Sequence, residues 1–172
     1  MKVIMVTGLP GTGKSTFAHA LAKALSGKHL NTDIIREALD KRGQYDVDTK
    51  AMIYAEMLRQ TALMLENGHD VIVDGTFYQK KLRQPYIALA KKKGAATHWI
   101  QISAHENAVR ARVNSRREHS EADFEVYLKI KAQYEDLDAP HLDLQSDYLN
   151  VNEMVGKAKE YLEGVERGGW GE

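Results

Sequence analysis

Cysteine is absent from all 172 residues. Its absence excludes a disulfide framework, a Cys-ligated zinc site and a thiol nucleophile. Proline is scarce, with three residues, and no Pro-, Gly- or Ser-rich linker, repeat or low-complexity tract divides the chain. Long apolar runs are missing as well. Near the N-terminus the longest is Val3-Ile4-Met5-Val6, too short for a signal-peptide core or a membrane span. A cytoplasmic protein with no membrane contact is expected. Neither sign of charge is in excess: 24 Lys and Arg balance 24 Asp and Glu, which does not suit a general polyanion binder. The balance hides an asymmetry, because residues 118–172 carry 14 acids and 5 bases, a net −9 that leaves +9 on residues 1–117. The basic two thirds either favours anionic ligands or is a solvated surface. With 43% apolar and 28% charged residues, the chain can bury one core, and extensive disorder is excluded.

Short apolar strands alternate with longer helical stretches. Strands are expected at Lys2–Thr7, His29–Thr32, Asp70–Asp74, Thr97–Ser103 and Leu142–Gln145. Helices are expected after Lys14, over Asp33–Lys41, from Asp48 to Asn67-Gly68, over Lys80–Lys93 and His105–Arg117, from the capping-box-like Ser120 and Asp123 to Glu135, and over Asn152–Gly164. In the long third helix, Ala51, Ala55, Leu58, Ala62 and Leu65 have the spacing of one face. Pro85 falls in the fourth helix, either in its first turn or at a kink. The alternation predicts an α/β fold with a central five-stranded parallel sheet and helices on both faces. A single domain is expected over residues 1–165, with a small Arg-rich lid at about 105–135 and a loose tail at 166–172.

Gly8-Leu9-Pro10-Gly11-Thr12-Gly13-Lys14-Ser15 matches G-x-x-x-x-G-K-[ST]. Each part has a chemical purpose. The glycines let the backbone curl so that several N–H groups face one anion. Lys14 brings a point charge to the terminal phosphates, and Ser15 offers a hydroxyl to Mg²⁺. Thr16 follows in the first turn of a helix whose positive end faces the same site. The loop follows an apolar strand and opens an amphipathic helix, the context that the motif requires. This predicts a P-loop NTPase fold.

Absences again narrow the class. The Asn-Lys-x-Asp segment common in guanine recognition has no counterpart, since no Asn-Lys pair occurs. No Asp-Glu dipeptide occurs either, and Asp74 at the third strand end is followed by Gly75. The water-activating Glu of many hydrolytic ATPases is therefore missing, which favours transfer to a bound acceptor. Asn31-Thr32-Asp33-Ile34-Ile35-Arg36 follows the second strand, at the carboxyl edge where α/β sheets bind ligands. Asp33 there either accepts a proton from an attacking hydroxyl or caps the helix. Arg36, one turn on, holds an acceptor or its phosphate. Asp74 binds Mg²⁺ or orients Ser15 or Arg36. Arg110, Arg112, Arg116 and Arg117 crowd one helix, and arginines closing over a migrating phosphoryl group stabilise its charge. The seven histidines show no H-E-x-x-H spacing, so a dedicated metal site is not expected. Tyr45, Tyr54, Tyr78 and Tyr86 are expected to pack in the core or at its rim, stacking on a base or sugar being the other reading.

These segments, together with Val71-Ile72-Val73-Asp74-Gly75-Thr76-Phe77-Tyr78, occur in an order that resembles small P-loop kinases over about residues 1–145. The chain is similar to the polynucleotide 5′-hydroxyl kinase domain and its AAA_33-type relatives, and to the kinase domain of seryl-tRNA(Sec) kinase. It departs from the latter's Asp-Asp-Thr-Asn pattern at Asp74-Gly75-Thr76-Phe77. The resemblance implies that Asp33 is the general base and Arg36 a clamp. It also implies that Arg117 is the lid arginine, with Arg116 and Arg112 beside it on the nucleotide. Motif and resemblance together lead to the expectation of an ATP- and Mg²⁺-dependent kinase acting on a hydroxyl of a small molecule, nucleoside or polynucleotide 5′-end. A nucleotide-sensing module and a simple ATPase are the other readings.

Overall fold

The structure is a computed structural model that describes residues 1–113 and 124–168. Twelve elements run in the order β1 (Lys2–Thr7), α1 (Lys14–Leu25), β2 (Lys28–Asn31), α2 (Thr32–Ala38), α3 (Val47–Glu66), β3 (Val71–Asp74), α4 (Lys80–Lys92), β4 (Ala96–Ser103), α5 (Glu106–Val113), α6 (Phe124–Ala132), β5 (Leu142–Gln145) and α7 (Val151–Glu166). The five strands form one sheet in the order β2-β3-β1-β4-β5, and every pairing is parallel. The expected strands are all present.

Alternate residues of the central strands face opposite sides of the sheet. Val3 and Met5 of β1 join Val71, Val73 and Trp99 in one core, under Ile35 of α2, Ile53 and Met57 of α3 and Tyr86 of α4. Ile4 and Val6 join Ile72, Ile100 and Leu144 in the other, under Phe17 and Leu21 of α1 and Met154 and Leu162 of α7. Both faces are therefore covered, which explains why β1 and β3 read as continuous apolar runs.

Three local expectations change. The buried side of α3 is Thr49, Ile53, Tyr54, Met57, Thr61 and Leu65, whereas Ala51 and Ala55 are exposed. The α3 cap is Asp46, whose carboxylate accepts from the Thr49 amide at 2.9 Å and the Thr49 hydroxyl at 2.7 Å. Pro85 lies in the second turn of α4, beyond the first-turn positions where a missing N–H costs nothing, and the helix continues through it. The Ser120–Asp123 start lies outside the described residues, as does most of the tail. At the last helix, Asn150 and Glu153 form a reciprocal capping box.

His98 on β4 carries a pH signature. It is buried, edge-to-face with Tyr161 of α7 at 6.4 Å, and its Nε2 has no hydrogen-bond partner among the described residues. Burial, helped by the Lys2 charge, lowers its pKa below the ordinary 6.5. The unfolded chain then binds more protons than the folded one as pH falls through that value, so stability drops on acidification. The urea midpoint is expected to be lower at about pH 5.5 than at about pH 7.5, and His98→Leu should shrink that difference. An equal difference in both proteins would refute the assignment.

Candidate active site

The helices that follow β1 and β3 leave on opposite faces of the sheet, α1 on one and α4 on the other. Their departure opens a crevice at the carboxyl ends of two adjacent strands, the general position of ligand sites in such sheets. Strand register brings Val6, Asp74 and Asn31 side by side at this edge. The glycine-rich loop begins two residues past Val6.

The loop conformation requires its glycines. Gly8 has φ +143°, and a Cβ there would lie 2.2 Å from the Ile102 carbonyl oxygen, a backbone atom of β4 that cannot yield. At Gly11, with φ +77°, a Cβ would meet Val113 and Val109 of α5 at 2.5 and 3.0 Å. Leu9 anchors the curl through its carbonyl, which accepts from the Thr12 hydroxyl and from Lys14 Nζ, both at 2.8 Å. Lys14 is thereby folded against its own loop, with 8% of its surface exposed. The loop passes through Gly13, also at positive φ, into α1, so the helix end and the loop amides face one region.

Asn31 is the hub of the inner site. Its Oδ1 accepts from the Asp33 and Ile34 amides and caps α2. Its Nδ2 donates to Ser15 Oγ at 2.9 Å and to Asp74 Oδ2 at 2.5 Å. Asp33 is therefore not the cap of α2. His29 Nε2 reaches Asp74 Oδ2 at 3.3 Å. Asp74 is 1% exposed, and its second oxygen is buried without a partner among the described residues. An unpaired buried carboxylate oxygen is costly, and here it belongs to the network that holds the exposed Ser15 hydroxyl. Two hard oxygen donors joined through Asn31 suit Mg²⁺, which takes few protein ligands and completes its shell with water and phosphate. Among the described residues no cluster of three His, Cys, Asp or Glu forms an all-protein cage.

Arg36 lies under Asp33, one turn along α2. Its Nη1 donates to Asp33 Oδ1 at 3.0 Å, its Nε donates to the Gln44 carbonyl at 3.2 Å, and its guanidinium stacks on Tyr45 at 4.6 Å. Arg36 is 5% exposed and rigidly held. Opposite stands the turn after β3. Phe77 is buried at φ +44°, a costly conformation for an aromatic residue. Its amide donates to the Tyr54 hydroxyl at 3.1 Å, and its carbonyl accepts from Arg83 Nε at 2.7 Å. Arg83 also donates to the carbonyls of Asp136 and Glu135, tying the segment before β5 to this turn. Burial pushes the Tyr54 phenol up to about 12, so it stays a neutral strut that also reaches the Thr76 hydroxyl at 3.2 Å.

The result is one cavity of about 630 Å³. Lys14, Ser15, Asp33, Arg36 and Asp74 all line it, together with Pro10, Gly11, Gly13 and Thr16 of the loop. Gly8, Leu9 and Thr12 of the loop are not among its lining residues. Arg112 lies elsewhere. Its guanidinium donates to the Ser146 hydroxyl at 2.8 Å, the Ser146 carbonyl at 3.0 Å and the Thr12 carbonyl at 3.4 Å. It borders a second hollow of about 310 Å³ on the other side of Gly13 and Thr16, with Asn150 at the start of α7. Arg116 and Arg117 lie outside the described residues. Tyr54 and Tyr86 are core residues, as expected, Tyr78 is buried as well, and Tyr45, Tyr54 and Tyr78 line the large cavity. The roles of Asn31 and Arg83 went unread in the sequence. The only local sign was a polar residue at a strand end, two before an Asp.

Loop, sheet order and the crevice between β1 and β3 define a P-loop nucleotide-binding protein with a kinase-like fold. The model of one AAA domain family, AAA_33, matches residues 3–137. The chain belongs to that family. It is 30% identical over 158 residues to an uncharacterised protein of Mycobacterium tuberculosis (strain ATCC 25618 / H37Rv), covering 82% of this chain and 31% of the relative. It is 30% identical over 147 residues to the L-seryl-tRNA(Sec) kinase of Methanococcus maripaludis, covering 80% of this chain and 53% of that enzyme. The chain thus spans about a third to a half of the length of these relatives. The fold is similar to that of the Mycobacterium tuberculosis APS kinase solved with AMPPNP and APS, with a TM-score of 0.71 at 19% identity over 94% of this chain and 97% of that one. Among the described residues no helix is long and apolar enough to cross a membrane.

Proposed function

We propose that the protein transfers the γ-phosphoryl group of ATP to a hydroxyl of an acceptor bound beside the phosphate loop. One observation carries this reading: Lys14 and Ser15, from the nucleotide motif, share a single cavity with Asp33, a carboxylate that the nucleotide motif does not use. The loop amides and Lys14 hold the β- and γ-phosphates. Ser15 and Asp74 hold Mg²⁺, which when bound neutralises charge on the transferring group. The hollow beside Arg112 and Asn150 adjoins Gly13 and Thr16 and takes the base.

In the reaction the acceptor oxygen forms a bond to the γ-phosphorus while the bond to the β–γ bridging oxygen breaks. The hydroxyl proton passes to Asp33 and ADP leaves. The transition state of such transfers is loose, so the hydroxyl needs orientation more than early deprotonation. A carboxylate held by Arg36 at 3.0 Å suits that task, because the ion pair fixes its direction.

The test is a screen with γ-labelled ATP and Mg²⁺ over nucleosides, 5′-hydroxyl oligonucleotides, tRNA, sugars, aminoglycosides and other alcohols. Label in an acceptor supports transfer. Rapid phosphate release that no acceptor alters would make the protein an ATPase, and ATP binding with neither outcome would make it a sensor.

A further inference from the structure

The large cavity extends past the phosphoryl machinery. Its outer wall is built by Tyr45, Lys50, Tyr78, Val126 and Ile130 from the segment before α3, α3 itself, the turn after β3, and α6. The phosphoryl machinery uses none of these. Lys50 is half-buried on the first turn of α3, with its ammonium 5.4 Å from the centre of the Tyr78 ring. Among the described residues no carboxylate lies within salt-bridge distance of it, whereas the surface lysines Lys2, Lys80, Lys93 and Lys131 each have one. The charge that bears on it most strongly is another cation of the cavity, Arg36. Burial and the Arg36 charge both lower the Lys50 pKa, and Asp46 only partly opposes them. Arg36 for its part is paired with Asp33, which lines the same cavity.

Two cations line one desolvated space, where Asp33 pairs with Arg36 and the Asp46 charge only partly offsets what burial and Arg36 do to Lys50. Such an arrangement costs stability and is characteristic of a site awaiting an anion. The flanking surfaces are apolar or aromatic, which suits the body of an organic molecule and not bulk counter-ions.

We propose that Lys50 is a specificity-determining residue, and that the acceptor is a small hydroxy compound with an anionic group of its own, a phosphate, sulfate or carboxylate. The anionic group sits between Lys50 and Arg36, the body of the molecule lies along Tyr45 and Tyr78, and the hydroxyl points to Asp33. This rests on the kinase reading above and narrows its acceptor.

The test separates the two. The full chain is first loaded with AMPPNP and Mg²⁺ so that the phosphate loop is occupied, and sulfate is then titrated in by calorimetry at constant ionic strength. Sulfate is expected to bind the loaded protein. Its affinity should fall about tenfold or more in Lys50→Met and recover in Lys50→Arg, the size of one charge-assisted contact. AMPPNP affinity in Lys50→Met should stay within about twofold of wild type, which also reports an intact fold. Sulfate binding that is absent, or equal in Lys50→Met, overturns the inference and leaves the kinase reading standing. Failure of AMPPNP to bind the wild-type protein overturns both. As a second measurement, γ-labelled ATP is supplied with matched alcohols that carry or lack a phosphate, sulfate or carboxylate. The anionic member should show a kcat/KM at least about tenfold higher, through KM, and Lys50→Met should erase the preference. Equal use of the neutral member, or preference for a 5′-hydroxyl oligonucleotide, contradicts it.

Discussion

Lys14→Ala is expected to lower phosphoryl transfer on the order of a hundred- to a thousandfold or more, with little change in thermal stability. The two effects separate because of how the lysine is held. Its Nζ donates to the Leu9 carbonyl, but that carbonyl also accepts from the Thr12 hydroxyl at the same distance of 2.8 Å. Removing the side chain therefore leaves the Leu9 carbonyl still hydrogen-bonded, and Gly8, Gly11 and Gly13 still impose the curl. What disappears is the positive charge at the centre of the anion site. Since Lys14 is 8% exposed, that charge acts through a partly desolvated environment in which screening by water is weak. Initial rates with saturating acceptor, set beside a thermal melt, measure both quantities. A variant that melts like wild type and also turns over like wild type would remove the phosphate site from residues 8–15.

Asp33→Asn should lower kcat by about a hundred- to ten-thousandfold with the KM for ATP near wild type. Asparagine keeps an oxygen in the position that accepts from Arg36 Nη1, now at 3.0 Å, and the α2 cap is unaffected because Asn31 supplies it. Arg36 is further fixed by Gln44 and Tyr45. The substitution thus isolates the capacity to receive a proton and the negative charge from the packing of the site. A fall in ATP affinity as large as the fall in kcat would show that residue 33 acts on nucleotide binding. Wild-type turnover would end its assignment as the base.

Much of this frame was legible along the chain because it depends on neighbours in sequence. β1, the glycine loop and the opening of α1 are a local grammar of apolar run, permissive backbone and amphipathic periodicity. The pairing of Asp33 with Arg36 follows from helical spacing. Hydropathy misassigned the buried side of α3 because that side carries Thr49 and Thr61, whose hydroxyls are satisfied by Asp46 and by the Met57 carbonyl. A stripe of alanines looked equally apolar, yet two of its members, Ala51 and Ala55, face solvent.

From residue order alone came a parallel α/β sheet with covered faces and a phosphate loop at the end of its first strand, since periodicity and turn chemistry act over a few residues. Tertiary structure alone decided that Asn31 would join Ser15 to Asp74, that Arg83 would lock the turn at Phe77, and that Lys50 would face the same space as Arg36. Those contacts close between separate elements of the chain, and their energies depend on burial and on which charges become neighbours. Neither is defined until the strands have taken their order in the sheet.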